Sequence, residues 1–217
     1  MFATAKFGAI RSALRSTAVP IAFLAAASDT ANATTSITVT KPTGTADADH
    51  MVGIAWSRNA ASLSSGFSGW TQRILDTATA GVFALYTKIA ASEGADYTIT
   101  FDASGDIQAA ILAYRGGAGA VDVVGTPGGS ASNVNPITAP GLTATRSGIL
   151  IAAFPYLNGS RVISVAASGM TERVNNRVSS EGCALVYDQI IAAGATGDKS
   201  VTLNGTTQYM AAQIAIY

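Results

Sequence analysis

The sequence predicts an all-β protein: a single jelly-roll-like antiparallel β-sandwich built from two pseudo-repeated halves and preceded by an N-terminal arm. Three observations predict it. From Ser36 onward, short runs rich in Ile, Val, Thr, Tyr and Phe alternate with period two, as half-buried strands do. Turn signals such as Pro42-Thr43-Gly44, Ser65-Gly66 and Ser104-Gly105-Asp106 separate those runs. The second half of the chain then restarts the order of the first.

The first segment, 1–19, reads as a basic arm ahead of a domain over 20–217. Phe2, Phe7, Ile10 and Leu14 recur at three- and four-residue spacing, which predicts a short amphipathic helix over 6–16. Lys6, Arg11 and Arg15 make it cationic, with no acid before Asp29. Such a helix cannot bury its stripe alone, so these seven residues are the candidate partner-binding set. The same stretch has a second reading as a secretory signal, with an apolar run from Ala18 to Ala27 and an Ala31-Asn32-Ala33 cleavage pattern. Pro20 and the alternation in Ile21-Ala22-Phe23-Leu24 suit a strand as well. The run is shorter than the roughly 20 residues a membrane helix needs.

The strands predicted next are Ser36 to Thr40, Met51 to Ser57, Trp70 to Leu75, Val82 to Ile89, Tyr97 to Phe101 and Ile107 to Tyr114. Arg115 to Pro136 is rich in Gly and poor in apolar residues, and is expected to be a long surface crossover. Beyond it the repeat begins. Gly69-Trp70-Thr71-Gln72-Arg73 returns as Gly169-Met170-Thr171-Glu172-Arg173, Ile37-Thr38 as Ile137-Thr138, and Met51 to Trp56 as Ile149 to Phe154. Ala84-Leu85 returns as Ala184-Leu185, Asp96 to Phe101 as Asp198 to Leu203, and Ala109-Ala110 as Ala211-Ala212. The offset drifts only from 98 to 102, as it does when strands are kept and loops vary. Two units, about 36–116 and 136–217, each with one apolar face, are expected to face each other across a common core. Val52, Ile54, Trp56, Leu85, Ile99, Phe101, Leu112, Leu150, Phe154, Leu185, Val201, Leu203 and Ile214 are its expected members.

Composition narrows the function classes. Of 217 residues 48% are hydrophobic and only 12% charged, half the usual charged share, which argues against disorder. Thirteen Lys and Arg balance thirteen Asp and Glu, so nucleic acid, which needs a phosphate-attracting field, is not an expected partner, and neither is a membrane. One Cys makes no disulfide framework.

The chemistry-bearing patterns favour a non-enzyme without cofactor or metal. His50 is the only imidazole; Asp47-Ala48-Asp49-His50 lacks the Gly and distal Glu of a calcium loop and a second His for zinc, and reads as a polar turn entering a strand. No G-x-S-x-G occurs. Glu93, Glu172 and Glu181 sit among Gly, Ser or Arg, as solvated turn residues do. Cys183, in an alternating strand, reads as a small core residue. Trp56 and Trp70 are expected in the core, since their counterparts are Phe154 and Met170. Tyr156 and Leu157, just before Asn158-Gly159, are the weaker surface candidates for a ligand.

The runs Ser36 to Asp47, Asp49 to Val52, Gly69-Trp70-Thr71, Ala84 to Lys88, Tyr97 to Phe101 and Ala110 to Gly116 resemble a jelly-roll-type domain common in tailed phages and prophages. Thr138-Ala139-Pro140, Gly169 to Arg173 and Ala192 to Gly197 continue the likeness, which covers roughly 20–217. The resemblance implies a bacteriophage virion component with no catalytic residues to carry over: a capsid decoration (cement) protein on the particle exterior, bound to the major capsid protein or other virion proteins and forming a homo-oligomer. The alternatives are a receptor- or carbohydrate-binding module of a head fibre or tail, or a secreted protein if residues 1–33 are a signal.

Overall fold

The structure is a computed structural model that describes residues 20–77, 79, 81–178 and 182–217. The arm residues Phe2, Lys6, Phe7, Ile10, Arg11, Leu14 and Arg15 lie outside the described residues, as does Glu181. What is described is all-β and antiparallel.

The first half contains β1 (Ala22–Thr40), β2 (His50–Ser57), β3 (Leu63–Ser65), β4 (Thr71–Asp76), β5 (Val82–Ile89) and β6 (Asp96–Arg115). Their sheet runs β1-β6-β2-β5-β4, with β3 on β6. The two long strands bend together. Ala22 to Ala31 pair with Arg115 to Ile107, the ladder slips at Thr34, and Ser36 to Thr40 then pair with Thr100 to Asp96. Ala33 takes a positive φ of 53° at this corner, where the chain leaves one layer for the next.

The second half contains β7 (Val121–Val124), β8 (Gly128–Val134), β9 (Ile137–Ala139), β10 (Thr143–Ala144), β11 (Gly148–Tyr156), β12 (Ile163–Val165), β13 (Thr171–Val178), β14 (Gly182–Ile191), β15 (Gly194–Ala195), β16 (Lys199–Leu203) and β17 (Thr207–Ile216). Its large sheet runs β7-β17-β11-β14-β13 with β8 also on β17, and a small sheet runs β12-β16-β9. The order in this large sheet parallels that of the first sheet, and β10 pairs with β15 in a two-stranded sheet that has no counterpart there.

The expected crossover from Arg115 to Pro136 is therefore corrected: it supplies β7 and β8, which close the free edge of β17. Val121, Val123 and Val124 carry enough apolar surface to pack there, and every backbone amide they pair is one fewer left without a partner. Ala22 to Ala31, which include most of the apolar run that also reads as a signal core, are paired along the edge of β6.

The central strands dictate how the sheets stack. β2 reads His-Met-Val-Gly-Ile-Ala-Trp-Ser and β11 reads Gly-Ile-Leu-Ile-Ala-Ala-Phe-Pro-Tyr, and every residue of both is buried. A strand apolar on both faces needs a layer on each side. Along β2, Val52, Ile54 and Trp56 enter a central core with Leu85, Leu112 and Tyr114, facing Ile149, Ile151, Ala153, Val186, Ile214 and Ile216 of the other large sheet. The alternate residues Met51 and Ala55 enter an outer core with Tyr86, Ile99 and Phe101. The second half has its own outer core around Phe154, Leu185, Tyr187, Val201 and Leu203. The expected common core is thus divided four ways: Ile99, Phe101, Phe154, Leu185, Val201 and Leu203 belong to the two outer cores, and Leu150 to a fourth, small cluster with Leu142, Ala144, Ile191 and Ala215. Each such side chain contributes roughly 1.5–3 kcal/mol when fully buried.

Ladder positions also correct two sequence matches. Val52 lies opposite Thr87 and Leu112, whereas Ile151 lies opposite Asp188 and Ile214. Val52 therefore corresponds to Ile151, and Thr87 to Asp188, each one residue away from the pairing the letters suggest. One residue in a strand changes the face. Trp56 and Leu85 accordingly fill the central core while Phe154 and Leu185 fill the outer one.

Candidate functional site

A bulge in β4 builds the first element of the site. The β4–β5 register slips between Gln72 and Ile74, so Arg73 is the extra residue. Ile74 packs in the central core, and the Nε of Arg73 donates to the Thr87 hydroxyl at 2.7 Å. The β13–β14 register slips at the same place, between Glu172 and Val174, and the extra residue is Arg173. The turns leading in match as well: Gly69 and Gly169 take φ of 76° and 72°, and Trp70 and Met170 donate to the carbonyls of Phe67 and Ala167, each at 3.2 Å. Beside the bulges, Tyr86 donates to Gln72 at 3.2 Å and Tyr187 to Glu172 at 3.0 Å.

Each bulge arginine lines a cleft where the two halves meet, of about 540 Å³ at Arg73 and about 570 Å³ at Arg173. The walls are the same ladder positions in both, with different side chains. Thr71 and Thr171 are alike. His50 stands where the second cleft has Ile149, Thr87 where it has Asp188, Lys88 where it has Gln189, and Val121 where it has Phe23.

Those exchanges decide the electrostatics. In the second cleft Asp188, 3% exposed, holds Arg173 at 2.9 Å and accepts from the Tyr114 hydroxyl at 3.2 Å, while the Arg173 guanidinium lies 3.9 Å above the Phe23 ring. Burial first, and then the Asp188 charge, push the Tyr114 phenol well above its ordinary range, so it stays a donor. Phe23 and Tyr114 come from the first half, and Arg173 and Asp188 from the second. This cleft is a polar latch between the sheets.

In the first cleft the carboxylate is a threonine and the aromatic ring a valine. Among the described residues Arg73 is matched with no carboxylate. Lys88 is neutralised by Glu93 at 2.8 Å. Asp122 accepts from the backbone amides of Thr145 at 2.7 Å and Arg146 at 3.2 Å, and from the Thr145 hydroxyl. His50 is 1% exposed with both ring nitrogens unpartnered, and burial, assisted by the Arg73 charge, lowers its pKa to about 4. The cleft therefore presents the Arg73 guanidinium, a neutral imidazole and two threonine hydroxyls, with the Lys88–Glu93 pair and the amide-bound Asp122 carboxylate at its wall.

The other residues singled out from the sequence fall elsewhere. Tyr156 is corrected: as the last residue of β11 it points into the outer core of the second half, is fully buried, and donates its hydroxyl to the carbonyl of Arg161 at 2.9 Å. Leu157 is half-buried against the central core. Asp49 is bound by Arg115 in two hydrogen bonds of 2.9 and 2.8 Å, which hold its carboxyl below the usual range, and Asp47 accepts from the Ser92 amide at 2.7 Å. Cys183 is buried, and that burial raises its thiol to about 11. Trp56 is fully buried, and Trp70 is half-buried against Phe67 and Tyr97. Among the described residues no group of three His, Cys, Asp or Glu is placed to hold a metal ion, and no helix is long and apolar enough to cross a membrane.

Sequence reasoning missed Arg73, Thr87, Arg173 and Asp188. The signal was present: the repeated Gly-x-Thr-x-Arg anchors end on these two arginines, and a cation kept in both copies of a strand asks what it pairs with. The answer, Asp188 in one and a threonine in the other, depends on a register that letters alone misplace by one residue.

No family model matches the chain, and no curated protein or solved structure matches it.

Proposed function

We propose that the protein is a structural component of a tailed-phage virion, a capsid decoration protein that sits on the particle exterior and holds the major capsid protein or a neighbouring copy through its basic segment 1–19 and the outer surface of its β body. The observation that carries this reading is the place where that segment joins the body. Ile21 is anchored in the central core and Pro20, one residue earlier, is exposed. The β body thus begins at an exposed residue, and in this reading the cationic sequence before it, with apolar residues at helical spacing, binds the partner. The polar side chains inside the body support the same reading: Asp49, Glu93, Asp188 and Tyr114 are engaged in holding strands together. The protein does no chemistry in this reading and takes no cofactor.

The matched sheet orders, bulges and clefts support the finer fold reading, that the two halves are copies of one jelly-roll-like unit related by an approximate two-fold. Overlaying 36–116 on 136–217 in an experimental structure checks it.

The functional test removes residues 2–19 and measures thermal unfolding and occupancy on particles. A folded protein that no longer associates is the expected result. Occupancy at the level of the full chain assigns attachment to the β body and removes the segment from the proposal.

A further inference from the structure

The two clefts amount to a comparison the molecule makes with itself. At one ladder position, beside one bulge arginine, the second half places a carboxylate and the first half a threonine. We propose that the cleft at Arg73 is a binding site for a carboxylate-bearing ligand, whose carboxylate takes beside Arg73 the place that Asp188 takes beside Arg173.

Four observations carry the inference. The guanidinium of Arg73 is oriented by its Nε bond to Thr87, and among the described residues it meets no internal carboxylate, although a planar fork of donors is best matched by one. His50 forms part of the wall, is only 1% exposed, and has neither ring nitrogen paired, which is costly for a polar group unless something else pairs it. Val121 in place of the Phe23 ring, and Thr87 in place of Asp188, remove from the first cleft both groups that engage Arg173 in the second. The cleft volume, about 540 Å³, lies within the range of small-molecule sites.

The other charges around the cleft do not compete for Arg73. Glu93 is held by Lys88, Asp49 by Arg115, and Asp122 by the amides of residues 145 and 146. In the bound state the carboxylate accepts from the terminal nitrogens of Arg73, and the hydroxyl of Thr87, which already accepts from Nε, has its proton to give. Phosphate fits less well, because the protein's own second copy fills the equivalent position with a planar, singly charged group. Carboxylate binding is independent of virion attachment, and either can fail without the other.

The experiment is a titration of the full chain with sodium acetate at constant ionic strength, chloride being the control, followed by NMR at the Arg73 Nε–H and at the ring protons of His50, the only histidine in the chain. Saturable shifts at both groups with acetate and none with chloride are expected. Arg73→Gln, at an exposed position, should weaken acetate by about tenfold or more. Thr87→Asp, which installs the carboxylate of the second cleft, should abolish the response while leaving the protein folded, and Arg173→Gln should leave acetate binding in place. Glucuronate and an N-acetyl-aspartate amide distinguish the sources: tighter glucuronate assigns a free acid of monosaccharide size, and tighter aspartate amide assigns an acidic side chain of a partner. No acetate response beyond chloride, a response that survives Arg73→Gln, or phosphate binding more tightly than acetate overturns the proposal.

Discussion

At the scale of single residues, the chain shows what one exchange does to a buried charge. Asp188 and Thr87 occupy one ladder position, yet Asp188 is part of a buried pair and Thr87 only receives a hydrogen bond. Removing one partner of a buried pair leaves the other uncompensated. Asp188→Ala should therefore cost about 3 kcal/mol, and Thr87→Ala about 1 kcal/mol; equal losses in urea unfolding would show that the Arg173 pair holds nothing. His50 gives a second prediction, with a sign fixed by its depressed pKa. The unfolded chain takes up a proton near pH 6.5, whereas the folded chain resists until about pH 4. Stability is complete above about pH 6.5 and falls as the pH drops toward 4, by about 3 kcal/mol in all. His50→Leu should flatten that slope, leaving the loss below pH 4 to which Asp49, held low by Arg115, contributes. An unchanged slope between pH 6.5 and 5 in the leucine variant would contradict the burial of the ring.

At the scale of elements, the alternating strands and their turns were legible because period two and turn chemistry are local. What was not legible follows from the same physics. Val121-Asp122-Val123-Val124 is too short to announce itself as a strand, and becomes one because β17 offers it an unpaired edge. Ala22 to Ala27 satisfies the description of a signal core and of a strand equally, and its partner in the structure, β6, is far along the chain where no local pattern records it. The matching of Trp56 with Phe154 fails because the letters of two apolar strands align as well one residue out of step, and a one-residue slip moves a side chain to the other face. The first strand offers a direct test. A chain beginning at Thr34 lacks Ile21 and Phe23 and exposes the β6 edge from Ile107 to Arg115. It should be insoluble or unfolded by circular dichroism. A folded, soluble product would show that residues 20–33 are dispensable and would return the signal reading to favour.

At the scale of the whole molecule, the stack has outer cores that belong to single halves and a central core that belongs to both. The site read from sequence was a segment outside the described residues and two residues that are buried or half-buried. The paired clefts emerged only when the halves were set against each other, since each cleft takes walls from both. The shared central core makes a claim about cooperativity: neither large sheet can keep its inner face from water without the other. Both tryptophans, Trp56 and Trp70, lie in the first half, and Ile151 lies in the second and faces the first across the central core. The measurement is the urea unfolding midpoint by tryptophan fluorescence for Ile151→Ala. A buried isoleucine truncated to alanine costs about 2–5 kcal/mol, so at ordinary slopes the midpoint reported by the first half should fall by roughly 1 M or more. A tryptophan midpoint equal to that of the unmutated chain would mean that the halves unfold separately and that the shared core does not join them.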